Sequence, residues 1–165
     1  QRHPVDLAAL VERIVERHRP LARPAGVAID YAVPEDPVVV PGDVTLLEQA
    51  VGNVVHNAVR YNRPGGHVAV VLDQPSPACA CRLRVTDDGP GVAEAELQRI
   101  TERRYRDEGA RRRDPAGLGL GLSIACEVAD RHGVRLRIQR VEPTGLEVVF
   151  EWPDGSVAGS GAAVD

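Results

Sequence analysis

The sequence predicts a mixed α/β (α+β) domain in which an open sheet carries helices packed on one face. Some segments place apolar residues at i, i+3, i+4 and i+7, and others alternate apolar with polar residues. The two kinds are interspersed along the chain without internal repeat. At 165 residues the chain is one domain's worth, long enough for a single sizeable core.

The first helix is predicted over "LAALVERIVERH", with Asp6 as N-cap and Leu7, Leu10, Val11, Ile14 and Val15 as its apolar stripe. Pro20, Pro24 and Gly26 are expected to end it. "VAIDYAV" alternates as a strand does, and "PVVV" reads as a second, short one. Asp43 opens the next helix, "VTLLEQAVGNVVHNAVRYN", which closes before Pro64-Gly65-Gly66. "HVAVVLD" is strand-like and "DQPSPA" a loop. "CRLRVTD" is a strand with Cys81, Leu83 and Val85 facing one way and Arg82 and Arg84 the other. Helices are predicted over "AEAELQRITERR" and over "LGLSIACEVADRH", the latter stopped by Gly133 as a left-handed cap. "VRLRIQR" and "LEVVFEW" are the last strands, joined by a "VEPTG" turn. Residues 1–153 are read as the domain, and 154–165, small and polar, as a disordered C-terminal tail.

Composition narrows the function. All twenty basic residues are arginine, a coding bias, and the net charge is −4, which argues against nucleic acid as a partner. No apolar run approaches the roughly 20 residues of a spanning helix and no signal peptide is visible, so no direct membrane contact is expected. The chain starts mid-pattern at Gln1, as a piece of a longer protein does. Cys79 and Cys81 have the look of a zinc half-site, but no second pair follows. With Cys126 in a helical pattern, all three are read as structural thiols of a reducing compartment.

Three clusters carry chemistry. Asn53 and Asn57 are four apart and Arg60 three further on, so they share one face of the second helix beside the stripe of Leu47, Val51, Val54 and Ala58. Asparagine costs a helix about 0.5–0.7 kcal/mol relative to alanine. Two on one face are either solvated or serve as oxygen ligands for a hard cation such as Mg²⁺, with Arg60 meeting its anion. Asp87 ends a strand and is followed by Asp88-Gly89-Pro90-Gly91, a simple Asp-Gly turn or a carboxylate placed to accept from an amine at the base of a pocket. Gly117-Leu118-Gly119-Leu120-Gly121-Leu122 opens a helix whose bare N–H groups suit phosphate. It is neither a Walker motif nor a dinucleotide fingerprint.

In order and spacing, these clusters closely resemble the N, G1 and G2 boxes of the GHKL ATP-binding superfamily, and within it the catalytic domain of bacterial sensor histidine kinases. The resemblance runs from about Val5 to Pro153. It implies a Bergerat-type two-layer sandwich holding ATP and Mg²⁺ between the N-box helix and a lid. On that reading Asn57 is the main Mg²⁺ ligand with Asn53 beside it, Arg60 reaches the phosphates, and Tyr61 packs on adenine. Asp87 accepts from the exocyclic amine of adenine in a pocket shaped by Gly89 and Gly91. The backbone of Gly117, Gly119 and Gly121, with Leu118 and Leu120 between them, follows the phosphates, and Leu122 anchors the helix behind. Arg106 points at the γ-phosphate.

The chain departs from the family pattern in places. In the F box, "ITERRYR", Thr101 and Arg104 stand where phenylalanines are usual, leaving Tyr105 and Arg106. Val134 replaces the second glycine of a His-Gly-Gly, and a common Gly-Thr pair is Gly145-Leu146, which lacks a hydroxyl that serves adenine. His18, in "VERHRPL", lies too close to Asn53 to be an acceptor on the first of two long helices. His56, His67 and His132 are read as structural or solvent-facing.

The function implied is transfer of the γ-phosphate of ATP, yielding ADP, to a histidine on a dimerisation domain outside this chain. A response regulator lies downstream and the location is cytoplasmic. Asn53 cannot act as a base at neutral pH, whereas ATPases of the superfamily and the serine kinases that act as anti-sigma factors usually carry an acid there. A serine kinase or anti-sigma switch, or a nucleotide-binding module without transfer activity, are the alternatives.

Overall fold

The computed structural model describes residues 2–74, 79–99 and 119–153. Its elements run β1 (His3–Asp6), α1 (Leu7–Ala25), β2 (Ala28–Ala32), β3 (Val39–Gly42), α2 (Val44–Arg60), β4 (His67–Asp73) and β5 (Cys79–Asp87). A short helical stretch, α3, covers 94–99. Then come α4 (Gly119–His132), β6 (Arg135–Arg140) and β7 (Leu146–Pro153).

Two sheets form. β1 and β3 make an antiparallel ribbon, and the main sheet has the order β2-β4-β5-β7-β6. β2 and β4 are parallel and the remaining pairs antiparallel, so the sheet is mixed. Helices α1, α2 and α4 lie side by side on one face, with α1 over β2 and β4, α2 over β4 and β5, and α4 over β6. The two-layer expectation holds.

The core lies between the layers. Leu10, Val11 and Ile14 of α1 and Val51, Val54 and Val55 of α2 meet Val68 and Val70 of β4 and Leu83 and Val85 of β5, all buried. Cys81 and Cys126 are also buried. Arg82 and Arg84 turn to the opposite face, where both pair with Asp73. β7 is central and buried along most of its length, which explains its near-continuous apolar run. Even on the outer face Val149 is covered, because the register sets it between Arg84 and Arg137, whose stems flank it. Glu147, buried beside it, accepts from the Thr86 hydroxyl and the Gln139 amide.

The first helix is longer than predicted. It runs through Pro20 and Pro24 to Ala25, where Gly26, at φ 69°, caps it with its N–H on the Ala22 and Arg23 carbonyls. Pro20 removes only the N–H that would bond the Glu16 carbonyl, and both residues are exposed, so water can take that place. Strand β1 was not predicted, and β3 lies two residues later than "PVVV" suggests. Asp6 and Asp43 cap their helices as expected, each accepting from two backbone N–H groups.

Two histidines tie helices together. His132 accepts from the Asp43 N–H through Nε2 and donates from Nδ1 to the Val128 carbonyl, joining the end of α4 to the start of α2. His18 donates from Nδ1 to the Ile14 carbonyl and meets His56 edge-on at 6.2 Å, and burial holds its pKa below the usual value. His67 pairs with Asp30 at the surface.

Candidate functional site

Helix α2 turns its stripe of Leu47, Val51, Val54 and Ala58 to the core and carries Asn53 and Asn57 along the edge that faces α4. The two helices approach closely at Gly121. A Cβ built there would lie 3.0 Å from the Asn57 amide nitrogen and 3.6 Å from the Asn53 Cβ. Any side chain at this position would press on the Asn57 amide, so glycine leaves the asparagines undisturbed where α4 starts.

Between α2, β5, β7 and α4 lies a cavity of about 150 Å³. Val54, Ala58, Val85, Val92, Leu122, Leu146 and Val148 give it an apolar lining. Tyr61, the residue that ends α2, lines one side, and Pro90 and Gly91 another. Two polar side chains enter it, Asp87 and Asn57.

Asp87 sits at the last position of β5. Its Oδ1 accepts from the Gly89 N–H at 3.0 Å. Burial pushes its pKa above the usual carboxylate range, against the pull of hydrogen bonds from the Gly89 and Leu146 backbones, and the nearby Asp88 charge adds to the rise. Asp88 behaves in the opposite way. Its Oδ1 accepts from the His67 N–H at 2.7 Å and from the Asn62 amide at 3.4 Å, and these bonds hold its pKa down. Of two consecutive carboxylates, one belongs to the cavity and the other ties the turn to β4.

The Asn57 amide nitrogen is buried and has no hydrogen-bond partner among the described residues. Arg84 Nε and Trp152 Nε1 are in the same position among the described residues, but of the three only Asn57 lines the cavity, where its NH₂ can donate to an acceptor such as a phosphate oxygen. An asparagine offers a neutral carbonyl oxygen, a donor that Mg²⁺ accepts alongside phosphate and water. The residues therefore fit a magnesium-bound phosphate here.

The structure brings Asn57, Tyr61, Asp87, Gly91 and Leu122 around one cavity, with Gly89 buried behind Asp87. Asn53 stands beside the cavity rather than in its lining, against Gly121. Arg60 is exposed at the end of α2, its guanidinium 5.6 Å from the centroid of the Tyr61 ring. Gly119 and Leu120 begin α4, as expected of a glycine cluster that opens a helix. Gly117, Leu118 and Arg106 lie outside the described residues, as do Thr101, Arg104 and Tyr105. Sequence reasoning passed over Val85, Val92 and Val148 as site residues and took Val54 and Ala58 for core alone. Inward alternation on β5 and β7 was the signal for Val85 and Val148, since both strands run under the cavity.

The chain is similar to known proteins in sequence and in fold. A family model described as histidine kinase-, DNA gyrase B-, and HSP90-like ATPase matches residues 42–156. The signal transduction histidine-protein kinase BaeS of Escherichia coli (strain K12) is 33% identical over 153 residues, which is 93% of this chain and 32% of BaeS. The histidine-protein kinase/phosphatase MprB of Mycobacterium sp. (strain KMS) is 40% identical over 141 residues, 86% of this chain and 26% of MprB. This chain thus spans a third or less of these relatives. A solved mycobacterial sensor histidine kinase MprB superposes with TM-score 0.74 at 32% identity, covering 93% of this chain and 97% of that one. Full-length ShkA in complex with AMPPNP superposes at 0.77 with 27% identity, covering 99% of this chain and 33% of ShkA. The chain belongs to the histidine kinase-, DNA gyrase B- and HSP90-like ATPase family, among its sensor histidine kinases.

Proposed function

We propose that this chain is the catalytic domain of a two-component sensor histidine kinase, and that it holds Mg-ATP and directs the γ-phosphate to a histidine on a dimerisation domain outside it. The observation that carries this reading is the apolar cavity lined by both Asp87 and Asn57, the Asn57 amide nitrogen having no partner among the described residues. Asp87, when ionised, accepts from the exocyclic amine of adenine, while Tyr61 and the valines and leucines of the lining enclose the ring. Asn57, with Asn53 beside it, presents amide oxygens to the cation. When bound, Mg²⁺ neutralises charge that develops on the phosphates. Arg60, exposed beside Tyr61 at the end of the same helix, is assigned to the phosphates, and Arg106 to the γ-phosphate. The backbone N–H groups of the glycine cluster that opens α4 are assigned to the phosphate chain, Gly117 and Leu118 of that cluster lying outside the described residues.

Phosphoryl transfer of this kind rests on positioning and charge stabilisation. The accepting imidazole is itself the nucleophile, so no base is required of this chain, and Asn53 provides none. His18 is not read as the acceptor, since its ring is engaged with the Ile14 carbonyl and set edge-on to His56. The domain is assigned to residues 1–153 and a tail to 154–165, the latter outside the described residues, and the domain is assigned to the cytoplasm, with a response regulator receiving the phosphate from the partner domain.

The test is incubation of the full-length protein with γ-labelled ATP and Mg²⁺, followed by acid and alkali treatment of the product. A label lost in acid and kept in alkali is expected. A label that survives acid points to a serine kinase, and no label at all leaves a nucleotide-binding module. Either result contradicts the reading.

A further inference from the structure

The turn between β6 and β7 reaches across the sheet to the loop that follows Asp87. The Thr144 hydroxyl donates to the Gly89 carbonyl at 2.7 Å, although the two residues are 55 apart in sequence. Gly89 is thereby held at both ends, because its N–H is already on the Asp87 carboxylate at 3.0 Å.

Backbone packing extends the contact. At Gly145, φ is 130°, and an added Cβ would fall 1.9 Å from the Asp87 carbonyl oxygen, so no side chain fits there. A Cβ on Gly91 would lie 3.2 Å from the Gly145 carbonyl oxygen. The turn is closed by the Val141 N–H on that same carbonyl at 3.2 Å, and the next backbone N–H, of Leu146, bonds Asp87. Three consecutive residues, Thr144, Gly145 and Leu146, therefore grip the loop from Asp87 to Gly91 along its length.

Position 146 is where the family resemblance implies a hydroxyl, and here it is leucine, lining the cavity. The hydroxyl nearest Asp87 on this turn is two residues earlier and is turned to the loop instead of the cavity. We propose that Thr144 is a positioning residue for purine recognition: by pinning the Gly89 carbonyl it fixes the Gly89 N–H, and through it the Asp87 carboxylate, at the place where the 6-amino group of the base must be met. The proposal rests on the reading of the cavity as an adenine pocket. Thr144 touches no nucleotide atom in this scheme. Its effect reaches the base through Asp87, which Gly89 and the Leu146 N–H of the same turn both hold.

A probe that lacks the amine separates positioning from general packing. ATP and purine riboside triphosphate differ only in the 6-amino group, so the ratio of their affinities reads the contact to Asp87 alone. Mg²⁺-dependent binding of both is measured by calorimetry on the wild-type chain and on Thr144→Val, Thr144→Ala and Thr144→Ser, with a melting curve for each.

The expected result for Thr144→Val and Thr144→Ala is a loss of about 3- to 10-fold in ATP affinity, the size of one neutral hydrogen bond, with affinity for the purine analogue kept. Thr144→Ser should restore the wild-type ratio. If the valine variant does not fold, the alanine and serine variants carry the comparison. An unchanged ratio without the hydroxyl, an equal loss for both nucleotides, or failure of serine to rescue overturns the role of Thr144. A wild-type chain that binds ATP no better than the purine analogue overturns the adenine reading of Asp87 itself, a distinct outcome.

Discussion

Asp87 and Asp88 are neighbours in sequence with opposite tasks, and the physics of each predicts a different mutant. Asp87 has its pKa raised by burial, so its ionisation opposes folding. Its contribution to stability is full below the ordinary carboxylate pKa and is lost as pH rises through the raised value. Asp87→Asn should therefore melt no lower than wild type at pH 7.5, yet lose about 10- to 100-fold in ATP affinity, as expected when a charged hydrogen bond is removed. Melting curves and calorimetry on the same samples check both halves. Acidification should likewise weaken ATP binding as Asp87 takes up a proton. Asp88 has its pKa lowered by the His67 N–H and the Asn62 amide, so its contribution is present above the ordinary value and lost as pH falls through the lowered one. Asp88→Ala should cost about 1 kcal/mol in urea unfolding, because two donors lose their acceptor in a partly exposed turn, and should change ATP affinity less than threefold.

At the scale of elements, the site depends on how α4 meets α2. Gly121 allows the approach, and alanine at that position would crowd the Asn57 amide at 3.0 Å. In a helix interior, Gly→Ala also gains roughly 0.5–1 kcal/mol of propensity. The two effects oppose each other in the free protein, so Gly121→Ala should change unfolding stability by less than about 1 kcal/mol while lowering Mg²⁺-dependent ATP affinity tenfold or more. Equal affinity in the variant would show that Asn57 does not need that space.

The elements also show what the sequence could convey. Helices α2 and α4 were readable because cap, stripe and terminator agree: Asp43, the stripe from Leu47 to Ala58, and Gly133 after His132. The end of α1 was not, because Pro20 and Pro24 signal a stop only where the lost N–H is missed, and on this solvent face it is not. β1 has four residues, and only its antiparallel pairing with β3, from His3 opposite Gly42 to Asp6 opposite Val39, makes it a strand. Such a contact has no local pattern.

For the whole molecule, the legible part of the site was its polar and glycine residues, whose spacing is unusual for a helix or a turn. The apolar lining was hidden, since Val54, Val85 and Val148 are also ordinary inward residues of their elements and become a pocket wall only once α2, β5 and β7 are assembled. Thr144 was hidden for the same reason, its partner Gly89 lying on a different turn. The proposed function requires above all that Mg-ATP enter this cavity with Asp87 on the base and Asn57 toward the metal. Calorimetric titration of ATP into the chain, with Mg²⁺ and with EDTA, on wild type and Asn57→Ala, tests it directly. The account predicts saturable binding that Mg²⁺ strengthens in the wild type and a loss of that Mg²⁺ effect in Asn57→Ala. No binding by wild type, or the same Mg²⁺ dependence in both proteins, would contradict it.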